Sequence, residues 1–421
     1  MSTLLISNLG RLITGAPAGA ELLGPPQAYA EPYLGYLQAQ THRTIWFAGP
    51  GDVLVLPTPV DEVFLDYATS LRGFGVGEID VLVGDDEDLA ADVRRAVTRR
   101  GTDRAWPYYH DRRTDAFLRE LGLAGSGFAG QGGAELLNSK VLFRALAAGI
   151  GVPIADGRCP ATAADATAWV WELVSSGRCA ILKEDFHVGG LGNKVVSPVA
   201  GISSFGALGA EVCTDPAAVA RVVGSRFAEE TGRLVVEHYF PDSASIYAGF
   251  FVTDDGVTRY GAGEMRMMPV INGLVTPGTS VPAEFLVHAE HIAQATRAMG
   301  YRGQLSVDGI VTPAGEVFLT EFNARSGGAT HNHCILRGLV GRPDRVLLDR
   351  RRCGLPPLKQ LLAALDDAGI GYDPVTATGV VITVHDGGTG TQRGEFCVIA
   401  ADLDTARRQE DMVLDMIEGA A

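Results

Sequence analysis

Cysteine is scarce and poorly placed for a scaffold. The six residues, Cys159, Cys179, Cys213, Cys334, Cys353 and Cys397, form no CxxC pair and no zinc spacing. A disulfide framework or a structural zinc site is therefore not the expectation, and reduced thiols are. No apolar run approaches the ~18 residues of a membrane span. The opening MSTLLISNLGRLITG lacks the basic start and full apolar stretch of a secretory signal. Together these absences predict a soluble, cytoplasmic protein. Positive charge is also short: 35 Lys and Arg against 50 Asp and Glu give a net charge of −15. That balance argues against a nucleic-acid surface. It leaves room for an anion held by a local group of Lys, Arg and helix N-termini. Internal repeats, long charge blocks and the GxxxxGK[S/T] phosphate loop are all missing.

What is present is a chain long enough for about two to four domains, with 46% hydrophobic residues to build their cores. Its 53 glycines are scattered, as in a loop-rich enzyme. Residues 3–9 begin like a buried strand, 17–33 read as a loop, and 44–47 and 53–56 as strands. A helical spacing covers 60–70, a strand 79–83, and acids at 85–88 start a helix reaching about Arg99. This alternation predicts an α/β domain over 1–130. The cluster Trp106-Pro107-Tyr108-Tyr109-His110 reads as a packed loop, with the lining of a substrate pocket as the alternative.

Beyond a Gly-rich linker, a helix is expected from about Ala134 to Ala148, closed by Gly149 and carrying Lys140. By itself Lys140 reads as an exposed helical lysine. Another helix covers 162–176. A short buried strand then ends in Lys183, and a Gly-rich stretch including Gly189 and Gly190 returns the chain to a strand at Val195. Such a flap can close its backbone N–H groups over phosphate oxygens, and glycine lets the backbone approach. His187 and Lys194 read as solvent-facing. Glu237 sits in the apolar run Leu234–Phe240. A buried carboxylate is costly unless paired, so Glu237 is either exposed at the strand end or has a task. Two more strands follow at 244–252 and 257–262. Arg266 precedes a loop at 270–279, as surface decoration or as a phosphate or carboxylate contact.

The most informative stretch is GQLSVDGIVTPAGEVFLTEFNARSGGATHNH, residues 303–333. It reads as two strands, 305–312 and 316–322, joined by Pro313-Ala314-Gly315. Glu321 and Asn323 are two apart and share a face. With a two-residue Ala-Gly loop, Asp308 stands opposite Glu321. With a three-residue turn carrying a Gly bulge, Asp308 turns to the other face. Two facing carboxylates destabilise a sheet unless a cation lies between them, and hard oxygen ligands suit Mg²⁺. The loop at 325–330 suits an anion, and His331 and His333 line a site or cap the next helix. Arg350-Arg351-Arg352 reads as a solvated basic patch in a small α/β appendage over 345–421.

The pattern D-x12-E-x-N-x-R resembles the metal-binding hairpin of the ATP-grasp superfamily, and Lys140, Lys183 with its flap, and Glu237 occur in the order of that superfamily's other parts. The resemblance implies an α/β (α+β) fold. An ATP-grasp core covers 131–344, with a nucleotide lid over about 155–240. A pre-ATP-grasp α/β domain lies before it and a small C-terminal α/β domain after it. It implies ATP and Mg²⁺ as cofactors, two ions held by Asp308, Glu321 and Asn323, with Mn²⁺ able to substitute. Lys140, Lys183, Gly189 and Gly190 would meet phosphates, and Glu237 with the backbone near His238 and Tyr239 would meet adenine. Arg325, and Arg266, would steady the reacting group. Relatives often carry Arg two residues before the metal-binding Asp. Ser306 stands there in this chain, which is why Arg266 is retained.

The implied activity is carboxylate–amine ligation through an acyl phosphate, with ADP and phosphate as products. The wider match is to peptide-forming members that join a nonproteinogenic, phenylglycine-like amino acid to the amino terminus of a peptide. A homodimer is compatible with it, and no nucleic acid or membrane partner is implied. The alternatives are a ligase of small metabolites or dipeptides, and a nucleotide-binding regulator without turnover.

Overall fold

The computed structural model describes residues 2–14, 23, 40–84, 87–186, 189–190, 192–227, 233–385, 387 and 393–419. The expected loop at 17–33 (Leu23 apart), the first two helix-capping acids Asp85 and Asp86, and His187 lie outside the described residues. Two compact units are present. The first takes Met1–Ala134, Gly273–Pro277 and Arg325–Ala421, and the second Glu135–Asn272 and Gly278–Ala324. Among the described residues no helix is long and apolar enough to cross a membrane.

The first unit contains a four-stranded parallel sheet in the order Asp80–Val83, Val53–Leu56, Thr3–Ile6, Arg104–Pro107. Val53–Leu56 is apolar at every position and buried throughout, as a central parallel strand requires. Helix Glu62–Leu71 starts at Asp61, whose carboxylate accepts the Phe64 N–H. The stretch expected as a strand at 44–47 is instead part of a 3₁₀ helix, His42–Phe47, with all six residues buried. Thr44 Oγ1 closes that turn by donating to the Thr41 carbonyl at 2.7 Å. Trp106 packs with its ring stacked 4.8 Å from Phe47, but it lies with Pro107 on strand Arg104–Pro107 and not in the expected loop.

The N- and C-terminal stretches, expected as separate domains, share one hydrophobic core. Leu5, Trp46 and Phe64 belong to the same cluster as Leu347, Phe396 and Val398. Strands Val346–Cys353, Gly394–Ala400 and Gly379–Val384 pair antiparallel in that order. The expected basic patch is corrected here. Arg351 lies on a strand, is 2% exposed and is paired with Asp349 at 2.6 Å, since strand alternation turns it inward.

The second unit has two sheets. One runs Gly157–Arg158, Leu234–Tyr239, Cys179–Glu184, Asn193–Ser197, Ala210–Val212. Its Ala180, Leu182, Val196, Leu234 and Val236 pack on helices Ala163–Ser175 and Pro216–Phe227 through Trp169, Leu173, Val219 and Val223. Alternation therefore sends Ile181, Lys183, Glu237 and Tyr239 to the opposite face.

The other sheet contains Val317–Asn323, Gly303–Val311, Ala244–Val252 and Val257–Met267, all antiparallel. Its hairpin combines both registers left open by the sequence. The turn is the three-residue kind: Thr312 N–H donates to Glu316 O at 2.9 Å, and Gly315 takes φ 84°. Val311, Ile310 and Gly309 face Val317, Phe318 and Leu319. Had that register run on, Asp308 would face Thr320, and Glu321 would stand beside Val307. A β-bulge at Thr320 shifts the pairing, so that Asp308 faces Glu321 and Ser306 faces Asn323. Gly309 makes room at the bulge, for a Cβ there would lie 2.6 Å from Phe285 Cε2 and 2.9 Å from the Phe318 carbonyl.

Gly309→Ala is expected to lower unfolding free energy by roughly 1–3 kcal/mol, measured by denaturant titration; a change below about 0.5 kcal/mol would show that helix Ala283–Ala298 yields. Burial holds the rings of His42 and His333 down at about 4, against 6.5 unfolded. Folded depression means that their contribution is complete above pH 6.5 and is lost as pH falls toward 4. Each is expected to remove roughly 2 kcal/mol between pH 7 and pH 5, read as a shift of the urea midpoint that His333→Asn reduces.

Candidate functional site

Asp308, Glu321 and Asn323 meet on the sheet face turned away from Phe285. Asn323 Nδ2 donates to Asp308 Oδ2 at 3.2 Å and to Glu321 Oε1 at 3.4 Å. Ser306 Oγ donates to Asp308 Oδ1 at 2.9 Å. Ser306 thus orients the carboxylate, a role that its replacement of the relatives' Arg had not suggested. Lys140 Nζ lies 3.6 Å from Glu321 Oε2 and offsets part of the like-charge repulsion. Turning the Asn323 amide over would present its oxygen beside two carboxylates. That all-oxygen donor set fits a small hard cation.

Lys140 does not sit inside a helix from 134 to 148. A short helix ends at Leu136, and the next is Lys140–Ile150. Ser139 caps it, accepting the Leu142 N–H at 3.1 Å, and the left-handed residue that ends it is Gly151, not Gly149. Lys140 therefore occupies the first helical position and is 6% exposed, not a surface lysine. Its N–H and that of Val141 are unpaired within the helix. They donate to the carbonyl and carboxylate of Asp185, at 3.3 and 3.0 Å. Asp185 is 1% exposed, accepts the Ser139 hydroxyl at 2.7 Å and meets Arg233 Nε at 3.3 Å. The residue after Lys183-Glu184 thus fastens the lysine-bearing helix to the base of the flap. Its only sequence signal was an acid directly behind a strand.

Lys183 and Glu237 are diagonal neighbours, for Lys183 pairs with Val235 and Glu237 with Ile181. Lys183 Nζ lies 2.5 Å from Glu237 Oε2, and Arg144 Nη1 lies 2.5 Å from Glu237 Oε1. Glu237 is buried, so exposure at a strand end is excluded, and both of its oxygens hold cations. Arg144 was missed. It lies four residues from Lys140, on the same side of the helix. That side meets the second sheet through Lys140 and the first through Arg144.

One adenine expectation is altered. The His238 N–H is committed to the Asp156 carbonyl at 2.7 Å. The Tyr239 hydroxyl donates to the carbonyls of Ser203 and Phe205 at 3.1 and 3.2 Å, and burial pushes its phenol up to about 12. Gly189 and Gly190 form the flap turn at φ 63° and 80°. A Cβ on Gly190 would meet the Gly206 carbonyl at 2.6 Å. Lys194 pairs with Glu211 at 3.3 Å, away from the cluster as read.

Arg266 is not gathered with these. Strand alternation puts Arg266 with Glu264, on the face opposite Gly263, Tyr247 and Asp308. Arg325 begins a segment of the first unit. His331 and His333 also belong there, and neither caps its helix. His331 lies within 4.8 Å of ligand atoms of Asp349 and Glu395, but Arg351 and Arg43 already hold those carboxylates.

The chain resembles known proteins in two ways. Residues 41–123 match the model of the Pre ATP-grasp domain, and 360–413 that of the PGM1 C-terminal domain. No curated protein matches the sequence. Among solved structures, N5-carboxyaminoimidazole ribonucleotide synthetase in complex with ADP is 12% identical with a TM-score of 0.57, covering 99% of this chain and 97% of its own. The biotin carboxylase domain of Hydrogenobacter thermophilus 2-oxoglutarate carboxylase, solved with MgADP and bicarbonate, gives 13%, 0.58, 98% and 89%. The L-amino acid ligase of Bacillus licheniformis gives 13%, 0.55, 98% and 97%. The fold is an α/β ATP-grasp architecture with a pre-ATP-grasp domain and a C-terminal domain.

Asp185→Ala leaves buried N–H and O–H donors unpaired, with an expected cost of roughly 1–3 kcal/mol. Urea unfolding measures it, and an unchanged midpoint would remove Asp185 as the anchor of the Lys140 helix.

Proposed function

We propose that this chain is an ATP- and magnesium-dependent carboxylate–amine ligase. The observation that carries the reading is the facing pair Asp308 and Glu321, with Asn323 beside them and Lys140 3.6 Å away. Two carboxylates set opposite each other in a sheet call for positive charge beside them, and the Lys140 ammonium supplies part of it. Asp308, Glu321 and Asn323 would hold Mg²⁺, which when bound neutralises phosphate charge during phosphoryl transfer. Lys140 and Lys183 would bind phosphate oxygens, and the N–H groups at Gly189 and Gly190 would cover them. Glu237 and the strand end at His238 and Tyr239 would border the adenine.

The chemistry proposed is transfer of the γ-phosphoryl group to a carboxylate, with ADP leaving. The amine nitrogen then attacks the acyl carbon, and phosphate departs as the C–N bond forms. The protein's part is positioning and charge neutralisation. Arg325 is proposed to steady the acyl phosphate, as the superfamily resemblance suggests. Arg266 lies on the opposite pleat and is not assigned that task.

The finer reading is a cytoplasmic peptide ligase of peptide-antibiotic biosynthesis. It would activate a phenylglycine-like amino acid and join it to the amino terminus of a peptide. Its support is the resemblance of the lid ILKEDFHVGGLGNKVV and the tail LTEFNARSGGATHNH to the pheganomycin peptide ligase. The fold shared with an L-amino acid ligase agrees with it.

Phosphate release measured over a panel of amino acids and peptides, with MgATP, tests the reading. Amine-dependent ADP formation should appear with an amino-acid donor and a peptide acceptor, and Glu321→Ala should abolish it, a loss of at least about 100-fold. Unchanged turnover in Glu321→Ala would reject the metal assignment.

A further inference from the structure

Glu237 is a buried carboxylate with two cationic partners where one would satisfy its charge. Its side chain is 4% exposed, those of Lys183 and Arg144 are 9% and 10% exposed, and each partner sits 2.5 Å from a different oxygen. The two are not equivalent. Arg144 is fixed from behind, its Nη1 donating to the Ala155 carbonyl at 3.1 Å and its Nη2 to the Gly157 carbonyl at 3.0 Å. Gly157 pairs with Glu237, and a Cβ there would lie 2.8 Å from Glu237 Cγ, so the carboxylate is also fixed from that side. Lys183 is a point charge on a flexible stem with Glu237 as its ion-pair partner. Burial raises the Cys159 thiol, and the Glu237 and Asp185 carboxylates raise it further against Arg144 and Arg233.

We infer that Arg144 is a positioning residue that keeps Glu237 compensated while Lys183 exchanges that carboxylate for a nucleotide phosphate. The inference rests on the nucleotide reading of this site. For Lys183 to hold a phosphate oxygen, its ion pair with Glu237 must open. Without a second cation, Glu237 would remain as an uncompensated buried charge, among the most unfavourable changes a protein interior admits. With Arg144 in place the carboxylate keeps one strong partner throughout, and the lysine trades one anion for another. The helix that brings Lys140 to Glu321 thus also sets, one turn later, the ease with which the flap strand's lysine is released.

The test is isothermal titration of the full chain with MgATP. Arg144→Met should weaken binding by about 100-fold. Arg144→Lys, which keeps the charge and loses the carbonyl bonds, should remain within about tenfold of wild type. The double variant Arg144→Met/Glu237→Gln should recover to within about tenfold, because the charge that needed compensation is gone while the amide oxygen still accepts a hydrogen bond. A merely structural Arg144 predicts the opposite: Arg144→Lys as weak as Arg144→Met, and no recovery in the double variant. Either result overturns the inference, as does Arg144→Met binding within about threefold of wild type. If Arg144→Met does not fold, Arg144→Lys and the double variant still decide. Absence of MgATP binding in the wild type would instead sink the nucleotide reading and the inference with it.

Discussion

Two carboxylates held opposite each other across a hairpin are the constraint on which the second unit turns. Asp308 and Glu321 repel, and a sheet built for stability alone would not pair them. Neighbouring groups reduce that repulsion. Asn323 donates to both, Ser306 to one, and Lys140 approaches from a separate helix. The bulge at Thr320 exists in the same service. It turns a register set by a three-residue loop into one that brings the acids to a common face, and it requires a glycine at 309 to do so.

The same economy of charge runs through the first sheet of that unit. Buried ionisable groups are held in pairs or triads across elements: Glu237 between Lys183 and Arg144, Asp185 between Arg233 and the N-terminus of helix Lys140–Ile150. These ties converge on one helix. Its first turn carries Lys140, its second Arg144, and its cap leans on Asp185. Flap base, acidic hairpin and strand Leu234–Tyr239 are thereby fixed by three contacts between Ser139 and Arg144. A short helix can do this because residues i and i+4 share a side, and because its N-terminal N–H groups attract a carboxylate.

Much of this was legible in advance. Glu321 and Asn323 on one face follow from strand alternation, and Glu237 stood out as a carboxylate in an apolar run. Lys183 before a Gly-rich return marked the flap. What failed did so for definable reasons. The helix expected around Lys140 begins too early, because apolar spacing continues through Leu136 and Leu137 while Ser139 caps a new start. Arg351 is buried where its run of three arginines suggests solvation, because its partner Asp349 stands two residues earlier on the same strand face. Arg144 carried no mark, since its partner lies 93 residues away.

The sequence by itself determined the elements and their faces: apolar alternation fixes which strand residues share a side, and capping residues fix where helices begin. It also determined that D-x12-E-x-N places two carboxylates and a carboxamide within one hairpin. The tertiary structure alone decided that Asp308 faces Glu321, that Glu237 holds two cations, and that Arg266 turns the other way. Periodicity is written in neighbouring residues. Pairing register and long-range ion pairs depend on bulges and packing that neighbouring residues do not encode.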